Sequence, residues 1–526
     1  MEKQAKQLIK EFITEFFAGD MRRLAEKYHA GQFRKGGEKL PYIVHPQAVA
    51  ETLQKWGENA DSIAVQIAWG HDLLEDTCVS ESEILAVANT EILQGIKLLT
   101  RPRSMDKALY LQSIAKSGNR DALLVKISDR ICNSKDFIKL EGCLYAYQYL
   151  HEADCLLPAL EHFSDDAVVK NALQEWKTLD KQLRSEAQHD AIRGCMLGGA
   201  VGDALGAPIE FMSKLTIMQK YGNGGVQDYV EFADGTGAIT DDTQMALFTA
   251  EGILRACVRG HERGICGVSS VVSGAYQRWL KTQGYTSAVP EDFINSGWLI
   301  NEKQLFSSRA PGMTCLSALE ENALHAKNDS KGCGTVMRMA PAGLFYDPVT
   351  AYELGCDLSA ITHGHSTGIS AGGAFAMLIS YLRYGKSLAA ALDLVEKHLE
   401  NYPDATETLA AIRKARTAIN IAELGEGWVA EEALAIGIYC ALHHQWNFKA
   451  GVLEAINITG DSDSTGCIAG HILGVLNGEN AIPEKWRKNL LEYNIVSQIA
   501  DDLHTQFEEN PDGHVTENWW QKYPGF

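Results

Sequence analysis

Residues 192–208 read IRGCMLGGAVGDALGAP, and they break the character of the chain. The tract before them, residues 164–189, is polar and charged, with few large apolar residues beyond Trp176 and Leu179. A change this abrupt marks a domain boundary, placed near residue 185. On either side the pattern is helical. PQAVAETLQKW (46–56) and MALFTAEGILRAC (245–257) repeat apolar residues at three- and four-residue steps, the period of an amphipathic helix. Alternating strand patterns are scarce, and glycines gather at loops and at close helix contacts. The expectation is all-α: two helical domains, residues 1–163 and 189–526, joined by a linker over 164–188.

Composition sets the outer bounds. The chain has 526 residues, 45% hydrophobic and 22% charged, too apolar for a disordered protein and long enough for two or more cores. No stretch approaches the roughly 18 apolar residues that span a bilayer. Twelve cysteines stand singly with no CxxC pair, the usage of reduced thiols in the cytoplasm rather than of a disulfide frame or zinc knuckle. The net charge of −20 argues against nucleic acid or an anionic membrane as main partner. It is uneven: residues 1–163 hold 20 Lys+Arg against 23 Asp+Glu, a net of −3, which leaves −17 for the remainder. Arg22, Arg23, Lys27, Arg34, Lys35 and Lys39 cluster in the first part.

Two constellations carry chemistry. In the first, His45, the doublet His71-Asp72 and Asp129 lie on separate helical segments. Two imidazoles and two carboxylates suit Mn²⁺, Fe²⁺ or a similar divalent ion and leave positions open for water and a phosphate oxygen. Glu75 and Asp76, one turn beyond the doublet, are placed to hold or deprotonate an attacking water. A merely charged helix start would sit poorly in IAWGHDLLEDT (67–77), where unpaired charge among apolar residues is costly. In the second, Thr240-Asp241-Asp242-Thr243 and Asp461-Ser462-Asp463-Ser464 each precede a helix-like run. Helix capping explains either block alone. Together they form an all-oxygen shell for hard cations, with carboxylates enough for two adjacent Mg²⁺ ions that could grip vicinal hydroxyls or activate a water. Glu210, after Pro208 in an apolar setting, is a candidate acid or base with a raised pKa.

The order HAGQFRKGGEKLPYIVHP (29–46), AWGHDLLEDT (68–77), LLVKISDRICN (123–133) resembles the HD-superfamily hydrolase domain of the RelA/SpoT family, above all the small alarmone hydrolases, over roughly residues 20–160. The resemblance implies that His45, His71, Asp72 and Asp129 bind one Mn²⁺ and that Glu75 and Asp76 activate water. Arg34 and Lys35 would hold the substrate's phosphates, and Asn133 would contact the nucleotide. The implied reaction removes a 3′-pyrophosphate from guanosine tetraphosphate (ppGpp) or a similar nucleotide. Gly70 and Ser128 depart from the residues usual beside these motifs and are expected to bear on substrate fit.

The second half, roughly residues 190–500, resembles the ADP-ribosylglycohydrolase family through GDALGAPIE (202–210), GAITDDTQMAL (237–247), GCGTVMRMAPAG (332–343), ITHGHSTG (361–368) and ITGDSDSTGCIAGHILG (458–474). That family is all-α with a binuclear Mg²⁺ centre, Mn²⁺ in some members. By motif position Thr240, Asp241, Asp242, Asp461, Asp463 and Ser464 would be ligands, and Glu210 the acid/base. His363, Gly332 and Gly334 would lie beside the ADP-ribose. Cys333 replaces a common asparagine and is expected beside the substrate, where it bears on acceptor specificity.

The expected protein is a cytoplasmic bifunctional hydrolase. Its substrates would be a nucleotide and an ADP-ribosylated protein or small molecule, with a toxin as candidate partner and no membrane partner. Three rival readings stay open. The first domain could act on NADPH or a pyrophosphorylated tRNA end, though the acidic charge counts against tRNA. It could instead sense a nucleotide and regulate the glycohydrolase, or the chain could be a non-catalytic scaffold.

Overall fold

The computed structural model describes residues 20–34, 39–233, 235–287 and 289–526. These are mostly helical, with one two-stranded hairpin, Glu231–Phe232 with Gly235–Thr236, among the described residues. The chain divides into two compact units, Met1–Ala187 and Gln188–Phe526. No described helix is long and apolar enough to cross a membrane.

In the first unit the helix Arg120–Leu140 is central, packed by the helices Val44–Trp56, Ile63–Gly70, Thr90–Leu99 and Cys143–His151. Its Leu123, Leu124, Ile127 and Ile131 are fully buried with Val49, Leu53, Ile67 and Ile96. Each such side chain removed from water stabilises the fold by about 1.5–3 kcal/mol. Gly70 and Ser128, the two departures, both take part in this packing. A Cβ on Gly70 would run into Met21 and Ile96, and the buried Ser128 hydroxyl donates to the Val49 carbonyl at 3.0 Å.

The tract expected as a linker is ordered as helix. Residues Ala167–Gly206 form one helix, and its Val169, Ala172, Trp176, Leu179 and Leu183 are buried at helical spacing. The Trp56 indole donates to Glu175 at 2.7 Å, and Lys135 pairs with the same carboxylate. Few large apolar residues suffice here because they share one face.

In the second unit Gly194, Gly198, Gly202 and Gly206 occupy every fourth position, one face of a helix. They lie against Gly474, Gly470, Gly466 and Ser462 of the helix Ser462–Asn477. A Cβ on any of the four would overlap a backbone carbonyl oxygen opposite. The two backbones approach this closely only because side chains are absent, and the approach brings Asp203 and Glu210 to the N-terminus of Ser462–Asn477.

Candidate metal centres

The first centre is assembled at a helix break. Helix Ile63–Gly70 ends at His71, and Asp72 is the N-cap residue of the short helix Leu73–Asp76, so the doublet occupies the junction. His45 comes from the first turn of Val44–Trp56 and Asp129 from the middle of Arg120–Leu140. The four meet. His45 Nε2 lies 3.1 Å from Asp129 Oδ1 and 3.8 Å from Asp72 Oδ2; His71 Nε2 lies 3.1 and 3.9 Å from Asp72 Oδ2 and Asp129 Oδ1. His71 Nδ1 is 2.7 Å from the Ala68 carbonyl, which fixes its proton on that nitrogen. Nε2 then faces the cluster, buried and 3.1 Å from Asp72 Oδ2. Orienting an imidazole through its other nitrogen is how metal-ligating histidines are held, and ligand atoms of His45, His71 and Asp72 fall within 4.8 Å of one another.

Electrostatics tie the cluster together. Burial disfavours the His71 cation, yet the Asp72 charge outweighs it and raises the imidazole to about 9. Burial likewise works against ionised Asp129, but Lys126, 2.9 Å away, and the two histidines hold it well below the carboxylate range. Such a mixed nitrogen/oxygen set fits a divalent cation.

Around it, the Asn133 amide donates to Asp129 at 2.6 Å and accepts from Arg34 at 2.9 Å, and Arg34 also pairs with Asp136 at 2.7 Å. Asp76 joins the site through Tyr42, whose hydroxyl lies 2.7 Å from Asp72 Oδ2 and 3.0 Å from Asp76 Oδ2. Glu75 is exposed and accepts from the Arg101 backbone N–H at 3.0 Å. Lys35 lies outside the described residues. Sequence reasoning gave no part to Tyr42 or Lys126, although both stand in the quoted motifs: Tyr42 three residues before His45, Lys126 one turn before Asp129.

The second centre lines a cavity of about 220 Å³ with Glu210, Asp241, Asp242, Asp461, Asp463 and Ser464, together with Gly332, Gly334 and His363. Asp461 is the N-cap of Ser462–Asn477 and accepts from the Ser464 N–H at 3.2 Å; Asp463 accepts the same N–H at 3.0 Å. Thr240, fully buried, caps Asp241–Arg263. Ligand atoms of Glu210, Asp461 and Asp463 lie within 4.8 Å of one another. Asp242 Oδ2 is buried with no hydrogen-bond partner, and burial together with neighbouring carboxylates pushes Asp241, Asp242 and Asp461 well above their ordinary range. Burial, then the charges of Asp463 and Asp461, pushes Glu210 up to about 10. Crowded carboxylates with an orphaned oxygen suit a hard cation, which takes oxygen ligands.

His363 is pushed down to about 3 by burial and then by the Arg338 guanidinium, so it stands neutral, its Nδ1 2.8 Å from the Thr362 hydroxyl. Side chains at Gly332 or Gly334 would crowd its ring at 3.3 and 3.1 Å. The Cys333 thiol turns toward the carboxylate cluster and lies 2.9 Å from Asp461 Oδ2.

Two features escaped the sequence reading. Asp203 receives the Thr240 and Thr243 hydroxyls at 2.8 and 2.5 Å. Gly312, beside the left-handed Ala310, donates its N–H to Asp241 at 3.0 Å. Asp203 was visible in GDALGAPIE; nothing in SSRAPG (307–312) signals its part.

Similarity to known proteins follows this division. The chain is 26% identical to the ADP-ribosyl-[dinitrogen reductase] glycohydrolase of Rhodospirillum rubrum, over 57% of this chain and 90% of that protein. It is 25% identical to the ADP-ribosylarginine hydrolase Tri1 of Serratia proteamaculans, over 67% and 88%. A separate stretch of 115 residues is 33% identical to the guanosine-3′,5′-bis(diphosphate) 3′-pyrophosphohydrolase MESH1 of Danio rerio, 21% of this chain and 63% of MESH1. The ADP-ribosylglycohydrolase family matches residues 184–513, the span that contains the carboxylate-lined cavity and every residue on its wall. The chain therefore belongs to the ADP-ribosylglycohydrolase family of hydrolases, and carries in its N-terminal part a region similar to 3′-pyrophosphohydrolases.

Proposed function

We propose that the protein is a bifunctional hydrolase that removes a 3′-pyrophosphate from ppGpp or a similar nucleotide in its first unit and releases ADP-ribose from an ADP-ribosylated acceptor in its second. The observation that supports this reading most is a pair of side-chain clusters of different chemistry: two imidazoles with two carboxylates in one unit, crowded carboxyls with Glu210 raised among them in the other. The first suits one Mn²⁺ and the second two Mg²⁺ ions, with Mn²⁺ an alternative. When bound, such ions polarise phosphoryl or ribosyl oxygens and make water a better nucleophile at neutral pH.

In the first unit the residues' own work is orientation and proton transfer. His45, His71, Asp72 and Asp129 would hold the ion. Tyr42 has a single proton to share between Asp72 and Asp76, so the exposed Asp76 keeps lone pairs for the attacking water; Glu75 flanks it. Water adds to phosphorus and gives up a proton to Asp76, the bond to the 3′ oxygen breaks, that oxygen receives the proton, and pyrophosphate departs. Arg34, braced by Asn133 and Asp136, would stabilise its charge, with Lys35 beside it in sequence.

In the second unit Thr240, Asp241, Asp242, Asp461, Asp463 and Ser464 would hold the ions. Glu210 donates its proton to the departing acceptor atom, and the water that adds to the ribose carbon returns one to it. Neutral His363, with Gly332 and Gly334 leaving room beside it, would rest against the ADP-ribose.

The test is pyrophosphate release from ppGpp with Mn²⁺, set against a His71→Ala/Asp72→Ala control. Release that the control lacks supports the reading. No release by protein shown to bind Mn²⁺ removes ppGpp as substrate and moves the assay to NADPH and modified tRNA ends.

A further inference from the structure

Asp203 is a fully buried carboxylate to which the chemistry proposed above gives no task. Its Oδ1 accepts the Thr240 hydroxyl at 2.8 Å and the Thr240 N–H at 3.0 Å. Its Oδ2 accepts the Thr243 hydroxyl at 2.5 Å and the Thr243 N–H at 3.1 Å. One side chain thus takes four donors at the start of the helix that carries Asp241 and Asp242. Helix starts are ordinarily satisfied by the N-cap residue itself, and Thr240 already accepts the Asp242 N–H at 3.3 Å. Asp203 adds a grip from 37 positions upstream.

The consequence lies in the Thr240 hydroxyl. It has one proton and two lone pairs. The proton faces Asp203 at 2.8 Å, with Asp463 also within its reach, and one lone pair takes the Asp242 N–H, which leaves the second lone pair for a cation. A cation binds lone pairs and repels hydroxyl protons. We infer that Asp203 is a positioning residue of the second centre: by holding the Thr240 proton it fixes that hydroxyl as an oxygen donor to the cation. This rests on the two-cation reading of the site. The orphaned Asp242 Oδ2 and the Gly312 N–H on Asp241 belong to the same rim, so a misplaced Thr240 proton would face a site otherwise arranged for a positive ion. An asparagine at 203 presents an amide donor where an acceptor is required, and the Thr240 proton must then turn elsewhere.

The experiment measures Mn²⁺ affinity by electron paramagnetic resonance on the full chain. All variants carry His71→Ala/Asp72→Ala, so that the ions counted belong to the second unit. Asp203→Asn, Thr240→Val and the double variant are compared with that background. The expected result is a loss of about tenfold or more for each single change. The double variant should lie within about twofold of the weaker single, because Asp203 acts through the Thr240 hydroxyl. A residue that only stabilises the fold would lower the melting temperature and leave metal affinity unchanged. Asp203→Asn affinity within about twofold of the background overturns the inference, as does a double variant that loses the product of the two single factors. Should circular dichroism show Asp203→Asn unfolded, Asp203→Ser takes its place under the same criteria. A background protein that takes up no Mn²⁺ refutes the two-cation reading, and this inference with it; normal uptake with an inert Asp203 refutes the inference alone.

Discussion

Carboxylates crowded at the second cavity repel one another, and without cations they respond by keeping protons. Glu210 rises from 4.5 to about 10, through burial and then the Asp463 and Asp461 charges. A group whose folded-state pKa is raised stabilises the fold fully below its unfolded value, and that contribution disappears as the pH rises through the folded value. In EDTA the thermal transition of the second unit should therefore move down in temperature between about pH 5 and pH 8. Millimolar Mg²⁺ should largely cancel the slope, because cations replace the protons. Scanning calorimetry with and without Mg²⁺ checks this; a flat profile in EDTA would mean that the carboxylates are not coupled as described. Glu210→Gln makes a sharper prediction. The amide keeps the size and loses the transferable proton, so ADP-ribose release should fall by about 10²–10⁴-fold while Mg²⁺ still raises the melting temperature. Loss of both effects would place Glu210 among the ion ligands instead.

The facing helices Ala167–Gly206 and Ser462–Asn477 carry the constraint that builds this centre. Gly198 lies two turns before Gly206, and Gly198→Ala would drive a methyl group into the Gly470 carbonyl. Overpacking of this kind costs about 1–3 kcal/mol. The expectation is a lower melting temperature for the second unit together with weaker Mg²⁺ binding, because the helix that delivers Asp203 is displaced from the one that begins at Ser462. Thermal unfolding with and without Mg²⁺ would show both; an unchanged transition would mean that the two backbones yield. Elements of this kind were half legible in the sequence. The small-residue stretch 192–208 announced a boundary and close helix contacts, and the motif blocks named His45, His71, Asp72, Asp129 and the carboxylates of the second cavity. What stayed hidden depended on contacts far apart in sequence. Asp203 reads as one more polar residue in a glycine run until Thr240 and Thr243 are seen to donate to it. The Gly312 N–H on Asp241 has no side chain to betray it. The tract 164–188 carries few apolar residues, and those that it has fall on one helical face.

For the molecule as a whole, the question is whether the two hydrolytic sites proposed for this chain work separately. Each unit holds its own cluster of possible metal donors and its own buried core, with the groups proposed to handle protons beside them: Tyr42 and Asp76 in the first, Glu210 in the second. The Ala68 carbonyl and Asn133 orient ligands of the first centre, and Asp203 and the Gly312 N–H orient those of the second. Independent catalysis is the simplest consequence. His71→Ala/Asp72→Ala should abolish pyrophosphate release and leave the rate of ADP-ribose release within about twofold; Asp461→Ala/Asp463→Ala should do the reverse. Coupling between sites typically amounts to about 1–3 kcal/mol, or 5–150-fold in affinity, so the two outcomes separate cleanly in a rate measurement. The same assay with ppGpp added to the glycohydrolase reaction tests the sensor alternative. A nucleotide that binds the first unit and changes ADP-ribose release by fivefold or more, without itself being hydrolysed, would show that the first unit regulates the second. Unchanged ADP-ribose release with ppGpp turned over would leave two independent enzymes on one chain.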